Sequence, residues 1–574
     1  MFDNLKTVLD DVAIEAPWEL TEVFAKFARW KAADVNTSCD MITDRLKRHG
    51  VPVTVLEPDL YLSIPYEASV KALGQTFRAK PPAYSTTTTG TEAELVYVPA
   101  AYSKSVSTLF QKNQDAGAMT AERLGGKIVI SEGFAFPQKM REFEELGAVG
   151  VIAVNPGVDI HWGICTSIWG TPDLDDLPRK PRIPVAAVNN PDGKKLIELA
   201  LEGGRATIAT KLEEGWFKQK LPVVEIKGGE QPEKFVLLHG HYDSWDAGVG
   251  DNATGNATLL EIARVLWKHR AKLRRSVRIA WWPGHSTGRY AGSTWFADHF
   301  AIDLDENCVA QINCDSPGCR WATEFKDISW MKEAEGFAQE VIKEITGLPA
   351  QGERPHRAGD YSFNNIGISS LMMLSSTMKD EKRTEMGYYA VGGCGGNIAW
   401  HTENDTLEIA DRTIMLRDIK VYLGLTMRIA NADVLPFDWR AIAAEFLETI
   451  AKYQKAAGAT FDLTASKDAA TALKAALDRF YAAIAAKKIN PGPASDTIQQ
   501  LARILVPINH TRTARFRHDP ATPMPPLPTI ATASELGEMP ADKIGFAVNH
   551  LRRGQNRLVA ALREATRKVE ATMA

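Results

Sequence analysis

The stretch from Phe235 to Asp315 constrains the fold more than any other part of this chain. Phe235-Val236-Leu237-Leu238 is an apolar run of strand length, and it ends in His239-Gly240-His241-Tyr242-Asp243-Ser244. Gly250-Asp251-Asn252 then opens a segment whose Leu259, Ala263, Leu266 and Trp267 share one helical face. A second apolar run, Val277 to Trp282, meets Pro283-Gly284-His285-Ser286-Thr287-Gly288, with Ala291-Gly292-Ser293-Thr294 beyond it. A third, Val309 to Cys314, ends in Asp315. Alternation of strand, helix and strand from 216 to about 435 predicts an α/β fold with a doubly wound, mostly parallel sheet. Functional groups in such sheets gather beyond the carboxyl ends of the strands. His241, His285 and Asp315 all fall there.

The strand-end His-x-Asp, the Asp-Asn helix start and the later Gly-Ser-Thr resemble the co-catalytic zinc metallopeptidase superfamily. Trp400-His401-Thr402-Glu403-Asn404-Asp405-Thr406 resembles its closing His-Thr-x-x-Asp-Thr motif. That superfamily holds aminopeptidases, glutamate carboxypeptidase II and the catalytically inactive transferrin receptor. The resemblance implies that His241, Asp251 and Asp315 bind one metal. It implies also that Asp251 bridges to a second, held by His401 and a glutamate, and that Asp243 orients His241. Members carry Glu-Glu after the second strand, a general base followed by a ligand. Here that loop reads His285-Ser286, and relative to the following Gly288 it carries one extra residue in Arg289-Tyr290-Ala291. His285 and Ser286 are therefore the candidate replacements for the catalytic pair.

Charge arithmetic bears on the metal count. Two divalent ions with two aspartates and a glutamate leave roughly +1, and loss of the glutamate raises this to about +2. One divalent ion with Asp251 and Asp315 is about neutral on the same count. Nitrogen and oxygen ligands imply zinc first, with iron or manganese as alternatives, in one or two copies. His285 or His239 is a possible additional nitrogen donor. The expected activity is a metal-dependent hydrolase acting on an amide or peptide-like bond through metal-activated water, its substrate a small-molecule amide or short peptide. The alternatives are an inactive pseudopeptidase that binds without turnover, or an amidase or lyase with altered chemistry. Trp245, Arg357, Tyr361, Trp162 and Trp400 are expected to contact substrate, Arg357 as a carboxylate receptor.

At 574 residues, the chain requires several domains. Residues 1–84 and 216–435 form the expected peptidase-like domain. Residues 85–215 resemble a protease-associated domain in the order of Gly147-Ala148-Val149-Gly150-Val151-Ile152 and Ile183-Pro184-Val185. Residues 436–574 read as a helical, dimerisation-like domain, with Leu551, Leu558 and Leu562 as an expected homodimer surface. A net charge of -4 gives no electrostatic case for a nucleic-acid partner. No apolar run approaches the ~20 residues of a membrane span. Six dispersed cysteines predict neither disulfides nor a thiolate metal site, with Cys314 and Cys394 expected as buried thiols. The opening Met1-Phe2-Asp3-Asn4-Leu5-Lys6 lacks the layout of a signal peptide, which makes the cytoplasm the expected compartment.

Overall fold

The structure is a computed structural model that describes residues 2–109 and 119–574. Its site-bearing sheet is built from β1 (Thr54–Leu56), β2 (Leu221–Ile226), β3 (Gln231–His241), β4 (Arg275–Trp282), β5 (Cys308–Asn313) and β6 (Ser370–Leu371). They lie in the order β1-β2-β4-β3-β5-β6. β4, β3, β5 and β6 run parallel, while β2 joins β4 and β1 joins β2 antiparallel. The predicted parallel centre is therefore present, with an antiparallel margin. Register sets His241 beside Trp282 and His239 beside Asn313, so the three central strands end within two residues of one another.

Both sheet faces are covered, as a parallel centre requires. Val236 and Leu238 of β3 pack with α1 (Thr254–Lys268) in the principal core. Alternate residues Phe235 and Leu237 meet Trp282 and Phe296 on the opposite face, Phe296 coming from α2 (Ala291–His299). α3 (Arg412–Ala430) adds Ile419, Tyr422 and Leu423 to the principal core. The period-two split of β3 gives the run Phe235–Leu238 its uninterrupted apolar character.

A second sheet of seven strands takes in most of 85–215. Its order is Gln75–Ala79, Asp59–Ala72, Arg205–Lys218, Thr88–Tyr97, Ile128–Glu132, Gly150–Val154 and Val185–Val188. The strands at 59–72 and 75–79, grouped in the sequence with the peptidase-like part, pair here instead. Asp59–Ala72 runs antiparallel to Arg205–Lys218 along nearly its whole length. That pairing gives the long strand its partner, which β1 is too short to supply.

The C-terminal region is helical, with α4 (Trp439–Ala457), α5 (Thr464–Ala485), α6 (Pro491–His510) and α7 (Ala541–Met573). The expected dimer surface is not there. Leu551, Leu558 and Leu562 are fully buried, because α7 lays this stripe onto α5 and α6 of its own chain. No described helix is long and apolar enough to cross a membrane.

His161 lies where the second sheet's loops meet the first. Its Nδ1–H donates to the Trp400 carbonyl at 2.6 Å, and its Nε2 accepts from the Tyr389 hydroxyl at 2.8 Å. Burial, helped by nearby His401, lowers its pKa to about 3, against ~6.5 in an unfolded chain. Between these values the unfolded state holds the proton and the folded state does not. Stability therefore rises with pH through the window and is lost as pH falls below about 6.5. Melting temperatures of His161→Gln should vary less steeply between pH 4 and 6.5 than those of the wild type. Equal slopes would show that the seam does not exclude the proton.

Candidate metal centre

Four residues singled out from the sequence meet at the carboxyl ends of the central strands. His241 Nε2 lies 3.0 Å from Asp251 Oδ1 and 3.6 Å from Asp315 Oδ2. His401 Nε2 lies 3.2 Å from Asp251 Oδ2. Asp251 thus turns one oxygen to each imidazole. His241 Nε2 and Asp251 Oδ1 are both buried, and neither has a hydrogen-bond partner. Buried polar atoms are normally paired, so unpaired ones converging on a common point form a donor set for a cation. The electrostatics agree. Burial alone would lower the His241 pKa, but Asp251 and Asp315 outweigh it and raise it well above the ordinary value. The two carboxylates attract positive charge, as a proton or as a metal ion.

Each ligand is oriented by a specific contact. His241 Nδ1–H donates to the Asp243 carbonyl at 2.9 Å, which leaves Nε2 free to face the aspartates. His401 Nδ1–H donates to the Trp162 carbonyl at 3.0 Å, and Trp162 N–H returns a bond to the His401 carbonyl at 2.8 Å. The turn at Asp251 is held by Asp405, which accepts from Gly250 N at 2.7 Å and Asp251 N at 3.0 Å. Burial, with the neighbouring Asp251 charge, raises the Asp405 pKa to about 7. Beneath the site Arg29 is fully buried and donates to the carbonyls of Tyr242, Ala247 and Gly248.

His285 stacks on His241 with ring centroids 3.7 Å apart and 18° between planes. Its Nδ1 lies 2.7 Å from Asp360 Oδ2, and Asp360 Oδ1 accepts from the Ser293 hydroxyl at 2.6 Å. Burial favours a protonated Asp360, but His285 outweighs it and holds the carboxyl below its usual range. One donor atom each from His285, His241 and Asp315 lies within 4.8 Å of the others.

Several expected roles change. Asp243 does not orient His241 through its carboxylate, which is 4.0 Å from Nδ1. That carboxylate accepts the backbone N–H groups of His285 and Ser286, each at 3.0 Å. It shapes the loop, and Ser286 is buried within that loop. His239 is no ligand, because Nε2 bonds Gln311 and Nδ1 accepts from Trp282 Nε1 at 2.8 Å. Burial lowers its pKa to about 4. Arg357 is no free carboxylate receptor. Its guanidinium donates to the carbonyls of Asp519 and Pro520 and lies 3.6 Å from the Trp169 ring centroid. Tyr361 is buried with its hydroxyl 3.3 Å from the Ser329 carbonyl.

The tryptophans wall the centre and do not present free faces. Trp162 and Trp245 are buried and stack at 5.2 Å, with Trp162 Nε1 donating to Asp246. Trp400 stacks on the His401 ring at 3.7 Å. All six cysteines are buried and free, Cys314 and Cys394 included. Asp360, Asp405 and Arg29 received no role from the sequence. Asp405 lies inside the closing motif quoted above and Asp360 immediately precedes Tyr361, whereas Arg29 carries no local signal.

Residues 223–426 match the family model described as Peptidase family M28. The chain carries a peptidase family M28 domain. It is 29% identical over 391 residues to leucine aminopeptidase 2 of Arthroderma otae, covering 64% of this chain and 73% of the relative. Probable glutamate carboxypeptidase VP8 of Zea mays is 26% identical over 236 residues, 39% of this chain. The match spans about a third (32%) of the maize protein's length. In fold, a peptidase M28 precursor from Shewanella amazonensis superposes with a TM-score of 0.56 at 18% identity, covering 75% of this chain and 96% of that one. A zinc aminopeptidase from Bacillus subtilis gives 0.52 at 17% identity, covering 72% and 94%.

The geometry of this M28 domain makes Asp243 a structural residue with a measurable signature. Asp243→Ala strands two backbone N–H groups in the loop that carries His285, which should cost roughly 2–3 kcal/mol in urea unfolding. Asp243→Asn, with one carbonyl acceptor left, should cost about half as much. If neither variant changes stability, the carboxylate is not what shapes this loop.

Proposed function

We propose that this M28 protein is a metal-dependent hydrolase of an amide or peptide-like bond, with His285 in place of the usual glutamate base. The observation that carries this reading is the convergence of unpaired, buried His241 Nε2 and Asp251 Oδ1 with Asp315 and His401. A binding protein without chemistry has no need for such a donor set, nor for Asp405, Trp162 and Asp243 to hold it.

The residues fit one firmly held divalent ion, zinc first by analogy with the zinc aminopeptidase neighbour. His241, Asp251 and Asp315 would hold it with a charge sum near neutral. His285 clusters with His241 and Asp315, so it does not fill the missing glutamate's place beside His401. A second position then retains only Asp251 and His401, too few for firm binding. A bound divalent ion supplies Lewis acidity toward a scissile carbonyl and an attacking water.

His285 supplies the proton chemistry. Its Nδ1 is bonded to Asp360, so Nε2 is the atom free to accept a proton from water and return it to the leaving nitrogen. Asp360 fixes the ring and offsets the imidazolium charge, and Ser293 fixes Asp360. The clustering with His241 and Asp315 also supports a second reading, in which His285 Nε2 is a further metal ligand. The seven-stranded unit, in this reading, is a protease-associated-type insert that completes the centre through the Trp162 carbonyl.

Elemental analysis after dialysis should give close to one equivalent of metal, and His401→Ala should keep most of it. Two firmly held equivalents would overturn the single-ion reading. His285→Ala should retain the metal and lower kcat by about 10²–10⁴ on any amide the wild type turns over. Parallel loss of metal and activity would assign His285 as a ligand. Full turnover in His285→Ala would remove it from the chemistry.

A further inference from the structure

Arg289 lies in Arg289-Tyr290-Ala291, where the loop carries one residue more than the superfamily pattern. It is only 6% exposed, and its Nε has no hydrogen-bond partner. Among the described residues its guanidinium pairs with no carboxylate, and its one ring contact is with Tyr290, 4.7 Å from the centroid. A buried guanidinium without an acceptor is expensive to maintain. Its backbone is equally unusual. Arg289 and Tyr290 sit consecutively in the left-handed region, at φ 46° and 73°. They are clamped there by Gly170 N–H on the Arg289 carbonyl at 2.6 Å and by Tyr290 N–H on the His285 carbonyl at 2.9 Å. Two non-glycine residues are thus held in a disfavoured conformation that fixes where Arg289 points.

It points into a cleft between the insert and the M28 domain, lined also by Phe134, Phe136, Lys139 and Tyr389. The other charged groups lining it are already engaged. Lys139 donates to the Glu132 carbonyl, and the Glu132 carboxylate takes the Tyr97 hydroxyl and Ala100 N–H. Glu142 accepts from Gln138, and Arg357 is tied to the 519–520 carbonyls. The cleft also shares its walls with the metal centre. Phe134 meets Trp400 edge-on at 5.7 Å, and Trp400 backs His401. On the other side Tyr290 touches both the Arg289 guanidinium and the His285 ring, the latter at 4.8 Å.

We propose that this cleft receives the apolar body of a carboxylate-bearing amide, and that Arg289 is the specificity residue that binds its carboxylate. This rests on the amide-hydrolase reading for the substrate class. A guanidinium forks onto a carboxylate with two parallel bonds, and apolar, aromatic walls strengthen the pair by excluding water. The acid engages the buried, cleft-lining guanidinium of Arg289, and the phenyl or alkyl portion lies against Phe134 and Phe136.

Calorimetry with two matched probes, 3-phenylpropionate and 3-phenylpropanamide, tests this on the metal-loaded protein. Wild type should bind the acid roughly 10- to 100-fold more tightly than the amide. Arg289→Met should bring that ratio close to one, with a melting temperature equal to or above the wild type's, since an unpaired buried charge is removed. Arg289→Lys should keep the charge but lose the fork and fall between them. It carries the test if the methionine variant does not fold. No preference in the wild type, or a preference that survives either substitution undiminished, overturns the proposal. Failure of the protein to hydrolyse any amide would overturn the catalytic reading alone, since calorimetry reads Arg289 without turnover.

Discussion

Everything at the centre depends on keeping Asp251 buried and ionised between two imidazoles. His241 and His401 lie 3.0 and 3.2 Å from its two oxygens, and Asp315 lies close by on the His241 side. Two carboxylates withdrawn from water repel each other and lose hydration, a cost of several kcal/mol per ion without compensation. Here the two histidines compensate, holding the Asp251 pKa well below its usual value against burial. His241 and Asp251, ten residues apart, are joined by the distant Asp315 and His401. The parallel register of β3 and β5 brings His241 and Asp315 together, Asp405 holds the turn at Asp251, and the contacts of His401 with Trp162 bring the fourth.

Apart from His241, the last residue of β3, these segments are irregular at the point of contact and need another source of rigidity. The molecule uses buried charged side chains as turn-formers. Asp405 gathers the N–H groups of Gly250 and Asp251, Asp243 gathers those of His285 and Ser286, and Arg29 gathers the carbonyls of Tyr242, Ala247 and Gly248. Each bond to a charged group is worth about 1.5–3 kcal/mol, and stranding its partner costs as much again. Such turns hold the ligands in place through loops that would otherwise be the softest part of the fold.

This division explains what was legible in the sequence. The candidate ligands His241, Asp251, Asp315 and His401 stand at the ends of apolar runs or inside short motifs, so local spacing exposes them. The parallel strands were readable for the same reason, since Phe235–Leu238 must feed both faces of a covered sheet. Contacts set by distant segments were not. Asp243 sits two residues from His241, which suggested an orienting role, but the loop from β4 claims its carboxylate. Leu551, Leu558 and Leu562 form an apolar stripe that reads equally well as a dimer face or an internal one. Only the packing of α7 on α5 and α6 decides. The strands at 59–79 were grouped by chain position with the peptidase-like part, because their partner, Arg205–Lys218, lies over 130 residues away.

The loop after β4 is where sequence and structure part most from the superfamily resemblance, and its changes belong together. Relative to the Glu-Glu that the resemblance implies, His285-Ser286 carries less negative charge, in keeping with the proposed single-ion centre. Arg289 and Tyr290 take left-handed backbone, a cost of roughly 1–2 kcal/mol each. What that cost secures is visible in the contacts. The Tyr290 hydroxyl accepts Gly359 N–H at 2.8 Å, beside Asp360, while its ring meets the edge of His285. Gly170 of the insert, whose Cβ would collide with Thr294 were it any other residue, approaches closely enough to bond the Arg289 carbonyl. The same turn therefore positions Asp360 against His285, docks the insert, and aims Arg289 into the cleft. Reversing His285-Ser286 alone to Glu-Glu would restore the charge but not the backbone that the rest of the centre is built around.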